Sequence, residues 1–287
     1  MRPLFSYYGG KQRLVGKILP LIPPHDVYVE PFAGGATVFW AKELASVNVI
    51  NDINEDIVNF YRVAKTKHDE LRAMLSWTLH SRALYNRARN IFDEKEKHTD
   101  VERAWAWWVL VNCSFCKIFK VAWAMEKKVG RPKSFPRRVQ NKIKLFEQKE
   151  AVEKLKDVFL ECDDALRVIK RWDCPEAFFY VDPPYVGTEQ GPYSGYGSDD
   201  LRALLDVLSK IKGKFVLSHF DNDEIASFAE KNGWRVLRHT RVLFAGISIR
   251  ARKNLPAARK TEMIVLNYEP PPAAARLLGV EKTLFSP

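Results

Sequence analysis

The sequence predicts an α/β fold: a mainly parallel sheet with helices on both faces, interrupted by a helical insertion. Three observations lead there. Strand-like and helix-like stretches alternate over residues 27–66 and again over 158–266, the order of β-α-β units. Between them, over 67–156, strand signals vanish and 3.6-residue apolar spacing takes over. One apolar run, Ala177-Phe178-Phe179-Tyr180-Val181, stops at Asp182-Pro183-Pro184-Tyr185. A buried strand that delivers a carboxylate to its tip has this form.

In chain order, Val27–Glu30 reads as the first strand and Ala36–Leu44 as the helix after it. Val47–Ile50 is the second strand, ending at Asn51-Asp52, and Asn54 is placed to cap a helix from Glu55 to about Thr66. Within the insertion, Trp105, Trp108, Val109 and Cys113 share one helical face, which predicts core packing. Glycine and proline in the stretch 130–138 predict a solvated basic loop. Strands resume at 158–160, 178–181, 215–217, 235–237 and 263–266, with helices at 199–208 and 223–231. The glycine-rich stretch 187–197 predicts a loop, and order is expected to reach about Tyr268.

The chain has 287 residues, 46% of them hydrophobic, enough for a full core in one large or two modest domains. No stretch approaches the roughly 18 apolar residues of a membrane helix, and the first residues lack the apolar core of a signal peptide. Four cysteines predict reduced thiols in a cytoplasmic protein. The Cys113-x-x-Cys116 pair lacks a second close pair, so no metal site is expected. The net charge of +11 is concentrated: residues 116–149 carry +9 and residues 235–260 carry +8. Two basic segments on a mildly acidic body form a footprint for a polyanion.

The residues after the strands suggest two neighbouring sites. At Asp182-Pro183-Pro184-Tyr185, proline fixes φ and lacks an N–H, so the pair makes a stiff corner with outward carbonyls. An acid, rigid carbonyls and a ring suit a planar amine such as a nucleobase amino group. The first strand ends in Glu30-Pro31-Phe32-Ala33-Gly34-Gly35-Ala36, where two glycines allow a sharp turn and close approach to a ligand. The spaced glycines of a pyrophosphate site are missing, which favours a nucleoside without phosphates. Asp52 follows Gly34 by eighteen residues at the second strand's tip, where a carboxylate can accept from both ribose hydroxyls. Ile53 can cover an adenine face. S-adenosylmethionine meets these requirements.

Four motifs stand in order: Phe5-Ser6-Tyr7-Tyr8-Gly9-Gly10-Lys11, Val29-Glu30-Pro31-Phe32-Ala33-Gly34-Gly35, Asn51-Asp52-Ile53-Asn54 and Asp182-Pro183-Pro184-Tyr185. Together they resemble those of Dam-type DNA adenine-N6 methyltransferases, over about residues 5–65 and 157–268. The resemblance implies a Rossmann-like, S-adenosylmethionine-dependent methyltransferase sheet with a helical target-recognition insertion. It implies a discontinuous catalytic domain, 1–66 with 157–287, and a DNA-binding insertion, 67–156. It implies that Tyr8, Gly9, Gly10 and Lys11 lie by the cofactor's methionine end, with Lys11 near the reacting centre. Glu30, Phe32, Ala33, Gly34 and Gly35 would line the cofactor loop, Asp52 hold the ribose and Ile53 lie on the adenine. Asp163, or Asp164 one position on, would read the adenine amino group. Asp182, Pro183, Pro184 and Tyr185 would hold a target adenine flipped out of duplex DNA. Arg131, Lys133, Arg137 and Arg138 in one basic segment, and Arg250, Arg252 and Lys253 in the other, are the candidate DNA contacts. A monomer without a membrane anchor is expected, and a restriction partner is open. The same pocket would serve an RNA adenine methyltransferase, and the fold could also be a silent DNA-binding scaffold. The intact Asp182–Tyr185 tetrapeptide speaks against the second.

Overall fold

The computed structural model describes residues 1–7, 9–115, 119–120, 122–125, 134–186, 195–242, 259–272 and 274. Its centre is a seven-stranded sheet of β1 (Val27–Glu30), β2 (Val47–Asn51), β3 (Val158–Glu161), β4 (Ala177–Val181), β5 (Lys214–Phe220), β6 (Arg235–Val242) and β7 (Arg259–Leu266). The order across the sheet is β3-β2-β1-β4-β5-β7-β6. The first five strands run parallel, and β7 runs antiparallel between β5 and β6. This is the Rossmann-like sheet that the motifs imply, closed by an antiparallel pair at one edge.

Buried side chains alternate along the strands, so each face of the sheet has its own core. Tyr28, Phe178, Tyr180 and Val216 face one cluster, while Val29, Phe179, Val181, Phe215 and Leu217 face the other. β4 is buried along its whole length, as a parallel strand covered on both faces must be.

The helices are α1 (Val15–Ile18), α2 (Thr37–Ala41), α3 (Glu55–Thr66), α4 (His68–Ser76), α5 (Arg82–Asp93), α6 (Asp100–Cys113), α7 (Phe135–Phe146), α8 (Lys149–Lys156), α9 (Ala165–Trp172), α10 (Ser198–Leu208) and α11 (Asp223–Lys231). Asn54 caps α3 as expected, its side-chain oxygen accepting from the Asp56 N–H at 3.0 Å. The Trp105, Trp108, Val109 and Cys113 face of α6 is buried. Trp107 is buried as well, and the Trp108 indole N–H donates to the Leu4 carbonyl at 3.0 Å.

Three expectations need correction. The helix after β1 ends at Ala41, not Leu44. Lys42 turns extended and lays its ammonium 4.2 Å from the centre of the Tyr28 ring, inside the protein. Residues 135–138 are not loop but the first turn of α7. Proline in a first turn sacrifices no helical hydrogen bond, so Pro136 begins this helix instead of breaking it. Helix α9 has no counterpart in the sequence reading. Its start is capped by Asp164, whose Oδ1 accepts from the N–H groups of Leu166 and Arg167 at 3.0 and 3.1 Å. Residues 130–133 and 187–194 of the expected loops lie outside the described residues.

Candidate active site

The first half of the site is the turn after β1. Its backbone is forced into shape at Gly34, with φ of 47°, a left-handed conformation that glycine adopts without cost. Gly35 is held close: a Cβ there would meet the Tyr7 Cβ at 3.3 Å. The turn is tied to the tip of β2. The Gly34 N–H donates to Asp52 Oδ2 at 2.8 Å, and the Asn54 N–H donates to Asp52 Oδ1 at 3.0 Å. The Ala33 N–H donates to the Asn51 carbonyl at 2.8 Å, and the Asn51 amide donates to the carbonyls of Pro31 and Asp163. From below, the Tyr61 hydroxyl donates to the Gly34 carbonyl at 3.1 Å. Asp52 therefore spends one acceptor position on each oxygen and keeps the others. Burial raises its carboxyl to about 6, against the pull of its two backbone donors.

Beside it, Ile53 is 68% exposed, an apolar face presented at the rim. Phe32 is half-buried and meets the Tyr196 ring edge-on at 6.3 Å between centroids. Glu30 sits deeper. Its Oε1 accepts from the Tyr28 hydroxyl and from the Phe39 N–H, both at 2.6 Å. Burial raises Glu30 to about 7 despite those donors. Asp163 stands at the tip of β3. Its carboxylate meets Arg171 at 2.8 Å and Arg167 at 3.4 Å, and the Arg171 guanidinium holds it below the ordinary carboxylate range. Both adjacent acids are engaged: Asp164 Oδ1 caps α9, while Asp163 also accepts from the Asp164 N–H at 2.8 Å.

The second half is the corner after β4, the strand next to β1 in the sheet. Lys11, only 7% exposed, pairs with both oxygens of Asp182, at 2.6 and 2.7 Å. The same ammonium donates to the Gly9 carbonyl at 3.1 Å and lies 4.6 Å from the centre of the Tyr185 ring. The turn Tyr7–Gly10, closed by the Gly10 N–H on the Tyr7 carbonyl at 3.2 Å, brings the lysine back to this point. Ser218 donates its hydroxyl proton to Asp182 Oδ1 at 2.9 Å. With that proton spent, the Tyr180 hydroxyl must be the donor to Ser218 Oγ at 3.1 Å. Pro183 is buried, and Pro184 and Tyr185 are half-buried.

The structure thus brings Gly10, Lys11, Ala33, Gly34, Gly35, Asp52, Asp182 and Tyr185 to the ends of three neighbouring strands, β2, β1 and β4. Ligands in open parallel sheets bind outside those ends. Tyr8 lies outside the described residues, as do Arg131, Lys133, Arg250, Arg252 and Lys253. Arg137 and Arg138 are exposed on α7, with Arg138 over the Phe135 ring at 4.9 Å. Phe135 stacks on His80, which stacks in turn on Trp123. Sequence reasoning passed over Asn51, Tyr61, Ser218 and His219. Asn51 opens one of the named motifs and Tyr61 follows on α3, but their roles depend on which strand lies beside which. The pair Ser218-His219 falls just past the point where the β5 pattern was ended.

Among the described residues no group of acids, histidines and cysteines is set to hold a metal, and no helix is long and apolar enough to cross a membrane. The donor set fits a methyl donor of nucleoside type: acceptors at Asp52, an apolar rim at Ile53 and a tight glycine turn.

Comparison with known proteins agrees with this architecture. The chain is 27% identical to the type II methyltransferase M1.LlaDCHI of Lactococcus lactis subsp. cremoris, over 93% of this chain and 96% of that protein. It is 27% identical to the type II methyltransferase M.MjaIII of Methanocaldococcus jannaschii, over 64% of this chain and 69% of that one. It is 24% identical to the retron Ec67 DNA adenine methylase of Escherichia coli, over 79% and 80%. The family model of D12 class N6 adenine-specific DNA methyltransferases matches residues 7–242, from the turn before Lys11 to the end of β6. With Asp182 and the Gly34 turn on adjacent strand tips within that span, the chain belongs to the D12 class of N6 adenine-specific DNA methyltransferases.

Proposed function

We propose that the protein transfers the methyl group of S-adenosylmethionine to N6 of an adenine rotated out of duplex DNA. The observation that carries this reading is the Asp182 corner. A buried ammonium, with N–H donors on a carboxylate and its charge near the Tyr185 ring, stands where an amino group would be gripped.

When bound, S-adenosylmethionine supplies an electrophilic methyl on a sulfonium. On the chain's side, Asp52 accepts from the ribose hydroxyls, Ile53 covers the adenine face, and Asp163 reads the adenine amino group in competition with Arg171. The turn at Gly34 and Gly35 and the segment Gly9–Lys11 shape the remaining walls, with Tyr8 and Ala33 beside them. The target adenine displaces Lys11 from Asp182. The Asp182 carboxylate and the Pro183 carbonyl accept the two N6 hydrogens. This draws the nitrogen toward tetrahedral geometry and frees its lone pair. With the methyl donor in place, N6 would accept the methyl group that the sulfonium releases and would give up one proton, for which the Asp182 carboxylate is the placed acceptor. Ser218 holds that carboxylate in place. Tyr185 stacks on the base, worth about 1–3 kcal/mol by analogy with base–aromatic stacking. No covalent enzyme intermediate is needed, so the cysteines have no part in the chemistry.

The helical block 67–156 serves as the DNA-recognition unit of a monomeric enzyme, and its basic residues neutralise phosphates. The test is incubation with methyl-labelled S-adenosylmethionine and duplex DNA, single-stranded DNA or RNA. Label on adenine N6 of duplex DNA is the expected result. Label on RNA alone, or on no polymer despite tight DNA binding, would overturn the reading.

A further inference from the structure

Three consecutive residues of β5 hold three members of the segment Asp182–Val186. Ser218 donates to Asp182, Phe220 meets the Tyr185 ring edge-on at 4.5 Å, and His219 lies between them. His219 is 1% exposed. Its ring packs against Tyr185 at 4.6 Å between centroids with a 36° tilt. Its Nδ1 lies 2.8 Å from the Phe220 carbonyl oxygen. A carbonyl only accepts, so Nδ1 carries the ring proton. Its Nε2 therefore offers a lone pair, and the Val186 N–H points at it from 3.2 Å. The ring is an acceptor with a fixed tautomer, bridging β5 to the backbone that leaves the corner. No hydrogen bond joins it to Asp182.

We infer that His219 is a positioning residue for methyl transfer: its Nε2 grip on the Val186 N–H and its ring beneath Tyr185 hold the acceptor corner in its reactive orientation. The inference rests on the reading that this corner grips the target amine. The two prolines stiffen the corner at positions 183 and 184, and past them the Val186 N–H is tied to β5 through His219 Nε2. Protonation would undo the arrangement. Nε2 would become a donor aimed at another donor, and a cation would arise beside Lys11. The titratable groups facing the ring are Tyr185, Asp182 and Lys11, and burial holds the imidazole below its ordinary value of 6.5.

The experiment compares the intact parent enzyme with His219→Gln and His219→Leu. Glutamine places an acceptor oxygen near the Nε2 position and does not titrate, whereas leucine fills the space and accepts nothing. His219→Leu should lower kcat on the order of 10²-fold, the scale of a displacement of about 1 Å at a reacting centre, with the affinities for DNA and for S-adenosylmethionine unchanged. His219→Gln should recover most of kcat. A His219→Leu enzyme with parental kcat, or one that loses only binding, would overturn the inference. So would a His219→Gln enzyme no more active than His219→Leu. Independently of activity, nitrogen NMR of the labelled parent should show His219 protonated at Nδ1 and bare at Nε2. The opposite tautomer would overturn the inference even if leucine prevents folding. If the parent methylates nothing, the proposed function fails, while the tautomer still reports on the grip.

Discussion

The Lys11–Asp182 pair decides how the site responds to single substitutions. Removing one partner of a buried pair strands the other, so Asp182→Ala leaves a buried ammonium as well as a missing acceptor. Asp182→Asn is the cleaner test. It should cut kcat on the order of 10³-fold, the cost of losing a principal electrostatic contact, while calorimetric affinity for S-adenosylmethionine stays near parental. A matching loss of that affinity would contradict the role. Asp52 gives a pH prediction. Hydroxyl donors favour the ionised form, and its carboxyl titrates at about 6. Donor affinity should therefore fall as pH drops through 6 and be about tenfold weaker at pH 5 than on the neutral plateau; a flat profile would remove Asp52 from the ribose. Glu30 has the opposite meaning for stability. Its carboxyl is raised from 4.5 to about 7, so the neutral form belongs to the fold. The stability it gives is complete below pH 4.5 and is lost as pH rises through 7, by about 3 kcal/mol. Glu30→Gln, a neutral isostere, should match or exceed the parent's Tm at pH 8 while showing no such advantage at pH 4.5. At this scale the acid, the prolines and the glycines were legible because each residue type carries a rare backbone or charge property. Ser218 and His219 were not, because nothing in a strand's own sequence says which strand tip it will stand beside.

At the scale of elements, the helices were read well where their ends carry caps or strong periodicity. Asn54 marked α3 and the tryptophan face marked α6. The start of α7 was misread because Pro136 is a breaker in a helix interior and a starter in a first turn, and local sequence does not tell these apart. Helix α9 was overlooked because Asp163-Asp164 drew attention as ligands, while Asp164 is in fact a cap. The cap of α6 offers a measurable check. The Thr99 hydroxyl accepts from the Glu102 N–H, and the Glu102 carboxylate accepts from the Thr99 N–H in return. Thr99→Ala should cost about 1 kcal/mol, read as a drop of about 2–4 °C in Tm for a chain of this size, with kcat unchanged. A loss of activity without a loss of stability would mean that α6 transmits more than support.

For the whole molecule, charge is the property most easily read from sequence and least specific in meaning. The net +11 is uneven, and its first concentration includes the exposed start of α7. If that end faces DNA, Arg137→Ala and Arg138→Ala should each reduce the slope of log affinity against log salt by about 1, across all DNA sequences alike. An unchanged slope for both would turn α7 away from the duplex. The sheet order itself has a further consequence. β1 and β4 are bonded in register, Val29 opposite Phe179, so the Gly34 turn and the Asp182 corner leave neighbouring backbones about 4.8 Å apart. That spacing is common to every parallel sheet and independent of side chains at the rim. If the block 67–156 reads the DNA sequence, as proposed, exchanging that block should change the methylated sequence while leaving these two strand tips where they are.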